Sequence, residues 1–303
     1  MSAPRSSLPH SREWTGANPE QEMFQTYSKE EYKQRTNSHY EQPPEFFFPI
    51  LGGTWHIYSC NLWESASTDT ESQEAKMELF ARLMNLQRGQ RVLDVGCGWG
   101  GPLTYLSKTY DLQGVGLNLS PTQKRAGEQL AAEHQADVKI FECNWEDFED
   151  EQGFDAIYTD EAIVHFTNLG DFFKKMRSLL RPGGYLAAKE CHFTSSRYNE
   201  RLTRANVFNH EIFGLTGSYR TLADELTLLD QSGLELRQIH HIDLENYRRT
   251  SDRWLSNMHQ HKDELQALVG EEYYRQFRTY LKLVRRTWNS AKMTLDIIVS
   301  QNV

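Results

Sequence analysis

The stretch Val92 to Gly101 reads V-L-D-V-G-C-G-W-G-G, and the rest of the chain is organised around it. Val92, Leu93 and Val95 form a short apolar, β-branched run, as in a strand buried in a parallel sheet. Gly96, Gly98, Gly100 and Gly101 follow; lacking Cβ atoms, they let the backbone turn tightly and approach a ligand. Pro102 stands where a first helical residue is expected, and Leu103, Tyr105, Leu106 and Tyr110 carry a helical apolar pattern. Strand, glycine loop and helix in that order open a nucleotide-type α/β domain.

The spacing narrows the nucleotide. Gly96 to Gly101 is G-x-G-x-G-G rather than the dinucleotide G-x-G-x-x-G, and Asp94 lies two residues before the first glycine. A carboxylate there orients loop amides and faces the ammonium of an amino-acid moiety, whereas it would repel a pyrophosphate. D-x-G-x-G-x-G resembles the first motif of S-adenosylmethionine (SAM) dependent methyltransferases of the Rossmann-like class. The resemblance makes Asp94, Gly96 and Gly98 SAM contacts; a structural glycine turn in another α/β protein is the alternative.

With 303 residues, 38% of them hydrophobic and 12% aromatic, the chain can bury a substantial core as one large or two small domains. A net charge of -9 argues against general nucleic-acid binding, which needs a basic face. No apolar run is long enough to span a bilayer, and Met1 to Gln21 lacks the apolar core of a signal peptide. Cys60, Cys97, Cys143 and Cys191 have no C-x-x-C spacing. The expectation is a reduced cytoplasmic protein with no metal site and no integral membrane contact.

Residues 1–21 are expected to be a disordered tail and residues 22–85 a helical N-terminal arm. Met23, Phe24, Tyr27, Tyr32 and Tyr40 need a partner surface, either their own core or a neighbouring subunit in a homo-oligomer. Beyond them, H-Y-E-Q-P-P-E-F-F from His39 is followed by Y-S-C at Tyr58 to Cys60 and by E-S-Q-E-A-K from Glu71. With the glycine loop behind them, in this order and with these gaps, these segments resemble the cyclopropane fatty acid and mycolic acid synthase family. The likeness covers about 37–300. It implies a Rossmann-like class I methyltransferase fold: a seven-stranded, mostly parallel α/β sheet with helices on both faces over 86–303. A lid insertion over 195–225 and C-terminal helices complete it.

The same likeness distributes the SAM contacts. Tyr58 and Ser59 belong to the arm. Asn118, Leu119 and Gln123 lie in N-L-S-P-T-Q, where the family has T-L-S-x-x-Q and serves the ribose. Asn144, Trp145 and Glu146 read N-W-E where the family has G-W-E at the adenine. L-R-P-G-G-Y-L from Leu180 is a late signature of the fold about 85 residues after the first, and Tyr185 to Lys189 is expected as strand five.

The reacting edge is expected between Thr159 and Thr167, T-D-E-A-I-V-H-F-T. In cyclopropane synthases a glutamate here and a histidine on strand five hold a bicarbonate base. Aligned on His165 and Phe166, the glutamate's place is taken by Val164 and the histidine's by Lys189, while Cys60 and Tyr280 match the remaining holders. The bicarbonate cage is therefore incomplete. Glu161 in T-D-E-A resembles the N-N-E-S glutamate of geranyl diphosphate C-methyltransferases, where it is the base. Glu161, His165 and Tyr280 are thus the candidate catalytic residues. The expected lid carries Arg197, Arg201, Arg204, Tyr219 and Arg220.

These readings converge on a SAM-dependent C-methyltransferase of terpenoid secondary metabolism. It adds a methyl to an alkene carbon of an isoprenoid or prenylated small molecule through a carbocation, with terpene cyclisation as an optional sequel. An O- or N-methyltransferase of a small metabolite and a cyclopropane-forming synthase with another base are the rivals.

Overall fold

The computed structural model describes residues 42–166, 168–198 and 219–303, together with Glu30, Lys33, Gln34 and Asn37. Among the residues described from Gln42 onward, two helices precede the sheet. α1 (Pro44–Leu51) starts on the Pro43-Pro44 pair, proline being tolerated at a first helical turn. α2 (Asp69–Leu83) opens with a capping box between Thr68 and Glu71. Then follow β1 (Arg91–Val95), α3 (Gly101–Tyr110), β2 (Gln113–Asn118), α4 (Pro121–Glu133), β3 (Val138–Glu142) and β4 (Phe154–Asp160). A 3-10 turn at Ile163–His165 leads to α5 (Leu169–Leu179) and β5 (Leu180–Phe193). The C-terminal part contains β6 (Arg220–Thr221), α6 (Leu222–Ser232), β7 (Glu235–Ile242), α7 (Leu244–Gln260), α8 (Lys262–Val269), α9 (Glu271–Thr287) and β8 (Met293–Gln301).

The sheet order is β3-β2-β1-β4-β5-β8-β7, with β6 added beside the end of β5. β1 to β5 pair in parallel, and β8 inserts antiparallel between β5 and β7. Seven strands were expected and form the main path; β6 is an eighth, only two residues long. The strand order reverses between β1 and β4, so the carboxyl ends of β1, β2 and β4 frame a crevice, the place where open α/β sheets bind ligands.

Three apolar clusters hold the frame. One packs Trp55, Ile57 and α2 side chains against Val92, Tyr158 and Leu295. A second lies on the other sheet face, with Leu93, Ile157, Phe172, Phe173 and Met176. The third joins α1 to the C-terminal helices through Phe46, Phe47, Trp254, Phe277 and Leu281. The arm also approaches the glycine loop closely: a Cβ on Gly101 would lie 1.6 Å from the Trp55 carbonyl oxygen. Only glycine permits that contact, so this loop residue serves arm docking.

Several boundaries differ from expectation. Strand five begins at Leu180, because Arg181 to Gly183 are accommodated as an irregularity in the pairing with β4 rather than as a separate turn. The long C-terminal helix breaks at His261 and at Gly270, whose φ of +84° is left-handed. The end of the expected lid is already sheet and helix, since Thr221 and Asp224 form a capping box that starts α6. Arg201 and Arg204, residues 1–21 and the arm aromatics at 23–40 lie outside the described residues.

Candidate active site

A cleft with about 960 Å³ of empty space opens at the carboxyl ends of β1, β2 and β4. Of the sequence-predicted cofactor contacts, Tyr58, Ser59, Asp94, Gly96, Gly98, Asn118, Leu119, Gln123, Asn144 and Trp145 line it. Glu146 does not: it is exposed, and its backbone N–H donates to Asn144 Oδ1 at 3.1 Å. Trp145 stands with one edge in the core, 5.3 Å from Phe172 edge to face, and lines the cleft as well.

Asn118 is more committed than a ribose ligand would be. Its Nδ2 donates to the Gly98 carbonyl at 2.8 Å and to Gln123 Oε1 at 3.1 Å, and its Oδ1 accepts from Ser120 N–H at 2.9 Å. It ties the glycine loop to the start of α4. Asp94 is 2% exposed and accepts from the Tyr158 hydroxyl at 2.7 Å. Burial pushes its carboxyl up to about 8 despite that bond.

The other end of the cleft is built from charges. Lys76 of α2 and Lys189 of β5 have no exposed side-chain surface. Lys76 Nζ lies 2.6 Å from Asp160 Oδ2 and Lys189 Nζ 2.7 Å from Asp160 Oδ1. Ser59 donates its hydroxyl to Asp160 Oδ2 at 2.6 Å. Burial opposes the charge on Asp160, yet the two ammonium groups outweigh it and hold the carboxyl well below its usual range.

Glu161 is next in line. Its Oε1 accepts from Lys189 Nζ and, at 2.8 Å, from Cys60 N–H, and its Oε2 accepts from the Tyr247 hydroxyl at 2.6 Å. Burial and the neighbouring carboxylate keep the Tyr247 phenol protonated, so it remains the donor. Glu161 itself has a φ of +59°, a left-handed conformation uncommon for a non-glycine residue, and its N–H is fixed by the Lys189 carbonyl at 2.8 Å. The cleft reaches this carboxylate, whose side chain is 10% exposed.

His165 lines the cleft beside it, and burial lowers its pKa to about 4, so the ring is neutral. Its 3-10 turn is clamped from β5, where buried Glu190 accepts from Val164 N–H at 2.9 Å. Tyr280 is not among the cleft-lining residues; it stands behind Tyr58, its hydrogen-bond partner. The phenol that meets the carboxylate is Tyr247, which the sequence reading passed over inside E-N-Y-R-R-T. Lys189 was read there only as a missing histidine, and Lys76 only as part of a family motif.

The lining fits SAM. Among the described residues it presents three acidic side chains, Asp94, Asp160 and Glu161, and no lysine or arginine side chain, which suits a ligand carrying a sulfonium and an ammonium. Comparison with known proteins agrees. The sequence profile of the mycolic acid cyclopropane synthetase family matches residues 27–297. Cyclopropane mycolic acid synthase 2 of Mycobacterium bovis is 30% identical over 270 residues, covering 81% of this chain and 86% of that one. The solved cyclopropane synthase MmaA2 of Mycobacterium tuberculosis superimposes with a TM-score of 0.82 at 26% identity, covering 89% of this chain and 98% of that chain. The geranyl diphosphate C-methyltransferase of Streptomyces coelicolor A3(2) shares the fold at a TM-score of 0.63 and 16% identity, covering 90% of this chain and 98% of that chain. A profile match running from the arm to the last strand, on a cleft of this chemistry, makes the protein a SAM-dependent methyltransferase belonging to the mycolic acid cyclopropane synthetase family.

Proposed function

We propose that this enzyme methylates an alkene carbon of an apolar, isoprenoid-bearing acceptor and ends the reaction with the Glu161 carboxylate as base. The observation that carries this reading is the grip on Glu161. Cys60 and Lys189 occupy places that the family resemblance gives to bicarbonate holders, and here both donate to the protein's own carboxylate. A fixed side chain thereby takes the position of a diffusible base.

SAM supplies an electrophilic methyl on a positively charged sulfur. The alkene π pair forms the new C–C bond as the C–S bond breaks, leaving a carbocation on the acceptor. The acceptor must be held in line at about 3 Å, because an alkene is a weak nucleophile. Tyr58 in the cleft wall offers an aromatic face, worth about 1–2 kcal/mol to a desolvated cation. Glu161 then accepts a proton from a carbon next to the cation, and the electrons of that C–H bond restore an alkene. Lys189 and Tyr247 hold the carboxylate in place by donating to its two oxygens.

A cyclopropane product is the second reading, favoured by the names of the relatives. It differs only in which proton leaves: loss from the added methyl closes the ring. Incubation with methyl-labelled SAM and a panel of prenyl diphosphates, prenylated indoles and unsaturated phospholipids tests both. Label on carbon in an open-chain or cyclised prenyl product supports the proposal. A cyclopropyl lipid supports the second reading, and label on oxygen or nitrogen removes both.

A further inference from the structure

His56 lines the cleft, yet none of the contacts described so far uses it. Its ring lies flat on Phe48 of α1, with centroids 3.8 Å apart and an interplanar angle of 4°. Phe48 in turn meets Trp99 of the glycine loop edge to face at 5.3 Å. The backbone at His56 is left-handed, with φ of +47°. Its Nδ1 is buried without a hydrogen-bond partner. The stack fixes the ring, while the left-handed backbone and the buried orphan nitrogen are each unfavourable in isolation; together they point to a group whose partner arrives with a ligand.

The ligand's chemistry says which part that is. SAM carries two cationic centres and one α-carboxylate. The cleft is lined by three acidic side chains, but among the described residues by no lysine or arginine side chain that could meet the anion. The carboxylate must therefore be met by neutral N–H or O–H donors. Burial lowers the His56 pKa to about 4, so its ring is neutral, with one N–H to donate. It sits three positions before Ser59, whose hydroxyl reaches Asp160 at the methyl-transfer end of the cleft.

We infer that His56 is a cofactor-binding residue whose ring N–H recognises the α-carboxylate of SAM. Stacking on Phe48 fixes the ring plane, and the left-handed backbone turns the ring toward the cleft.

The inference rests on the SAM reading, and binding measurements separate the two. Calorimetry compares S-adenosylhomocysteine with S-adenosyl-3-thiopropylamine, which lacks only the carboxylate. His56→Phe keeps a stacking ring and removes both nitrogens. It is expected to weaken S-adenosylhomocysteine about tenfold, the scale of one hydrogen bond to a charged group, while leaving the decarboxylated analogue within about twofold. His56→Asn tolerates the left-handed backbone and keeps an amide donor, so an intermediate loss confined to the carboxylate-bearing ligand is expected. Equal weakening of both ligands by His56→Phe, or of neither, overturns the assignment. A wild-type chain that binds neither ligand overturns the SAM reading, and this inference with it.

Discussion

The two ends of the cleft are built differently. At the adenosyl end, Asn118, Gln123 and the Gly98 carbonyl form a neutral network drawn from two adjacent motifs. At the charged end, Ser59, Lys76, Asp160, Glu161, Lys189 and Tyr247 come together from the arm, the end of β4, β5 and α7, and four of them carry charge. A cofactor common to many enzymes can be held by short local motifs. A base for one reaction has to be isolated from water and aimed, which needs donors from distant segments.

If the charged end performs the chemistry, its loss should spare binding. Glu161→Gln is expected to lower turnover about 10²–10⁴-fold, the range for a general base, with S-adenosylhomocysteine affinity changed less than about threefold. Retained turnover would move the base elsewhere. Lys189→Met probes the same end through stability. It leaves Asp160 and Glu161 without their shared cation, and breaking a buried ionic group in this way costs about 3–5 kcal/mol, readable by urea denaturation. A loss below about 1 kcal/mol would mean the cluster is better hydrated than its burial indicates.

The neutral end includes one acid, Asp94, and it should titrate. Its carboxyl is held protonated up to about 8 by burial, whereas an ammonium beside it favours the carboxylate. Cofactor binding then releases a proton below pH 8. Affinity is expected to rise with pH, by up to about tenfold per unit, and level off above pH 8. Asp94→Asn should flatten that profile; an unchanged slope would place the proton on another group. The smallest effect is expected at Glu146. Outside the cleft lining, its truncation to alanine should shift S-adenosylhomocysteine binding by less than about 0.5 kcal/mol, and a larger loss would return it to the adenine site.

The same contrast explains what could be read from the chain. The β1 strand and its glycine loop are local: Val92 to Gly101 announce strand, turn and helix within ten residues, and the structure places them so. The parallel order and the arm also followed from motif succession. Tyr247 and Lys189 did not. Tyr247 lies 86 positions from Glu161, on an amphipathic helix where a tyrosine reads as core. Lys189 sits in a strand where a buried lysine has no pattern of its own; only the pairing of β4 with β5, Asp160 opposite Lys189, brings it to the carboxylates. His56 was invisible for a similar reason, its stacking partner being on a separate helix.

Turnover measured in buffer stripped of carbon dioxide and bicarbonate tests the central claim most directly. With Glu161 as a built-in base, the rate is expected to be the same before and after bicarbonate is restored. A rate that collapses on stripping and returns on adding bicarbonate would contradict the account.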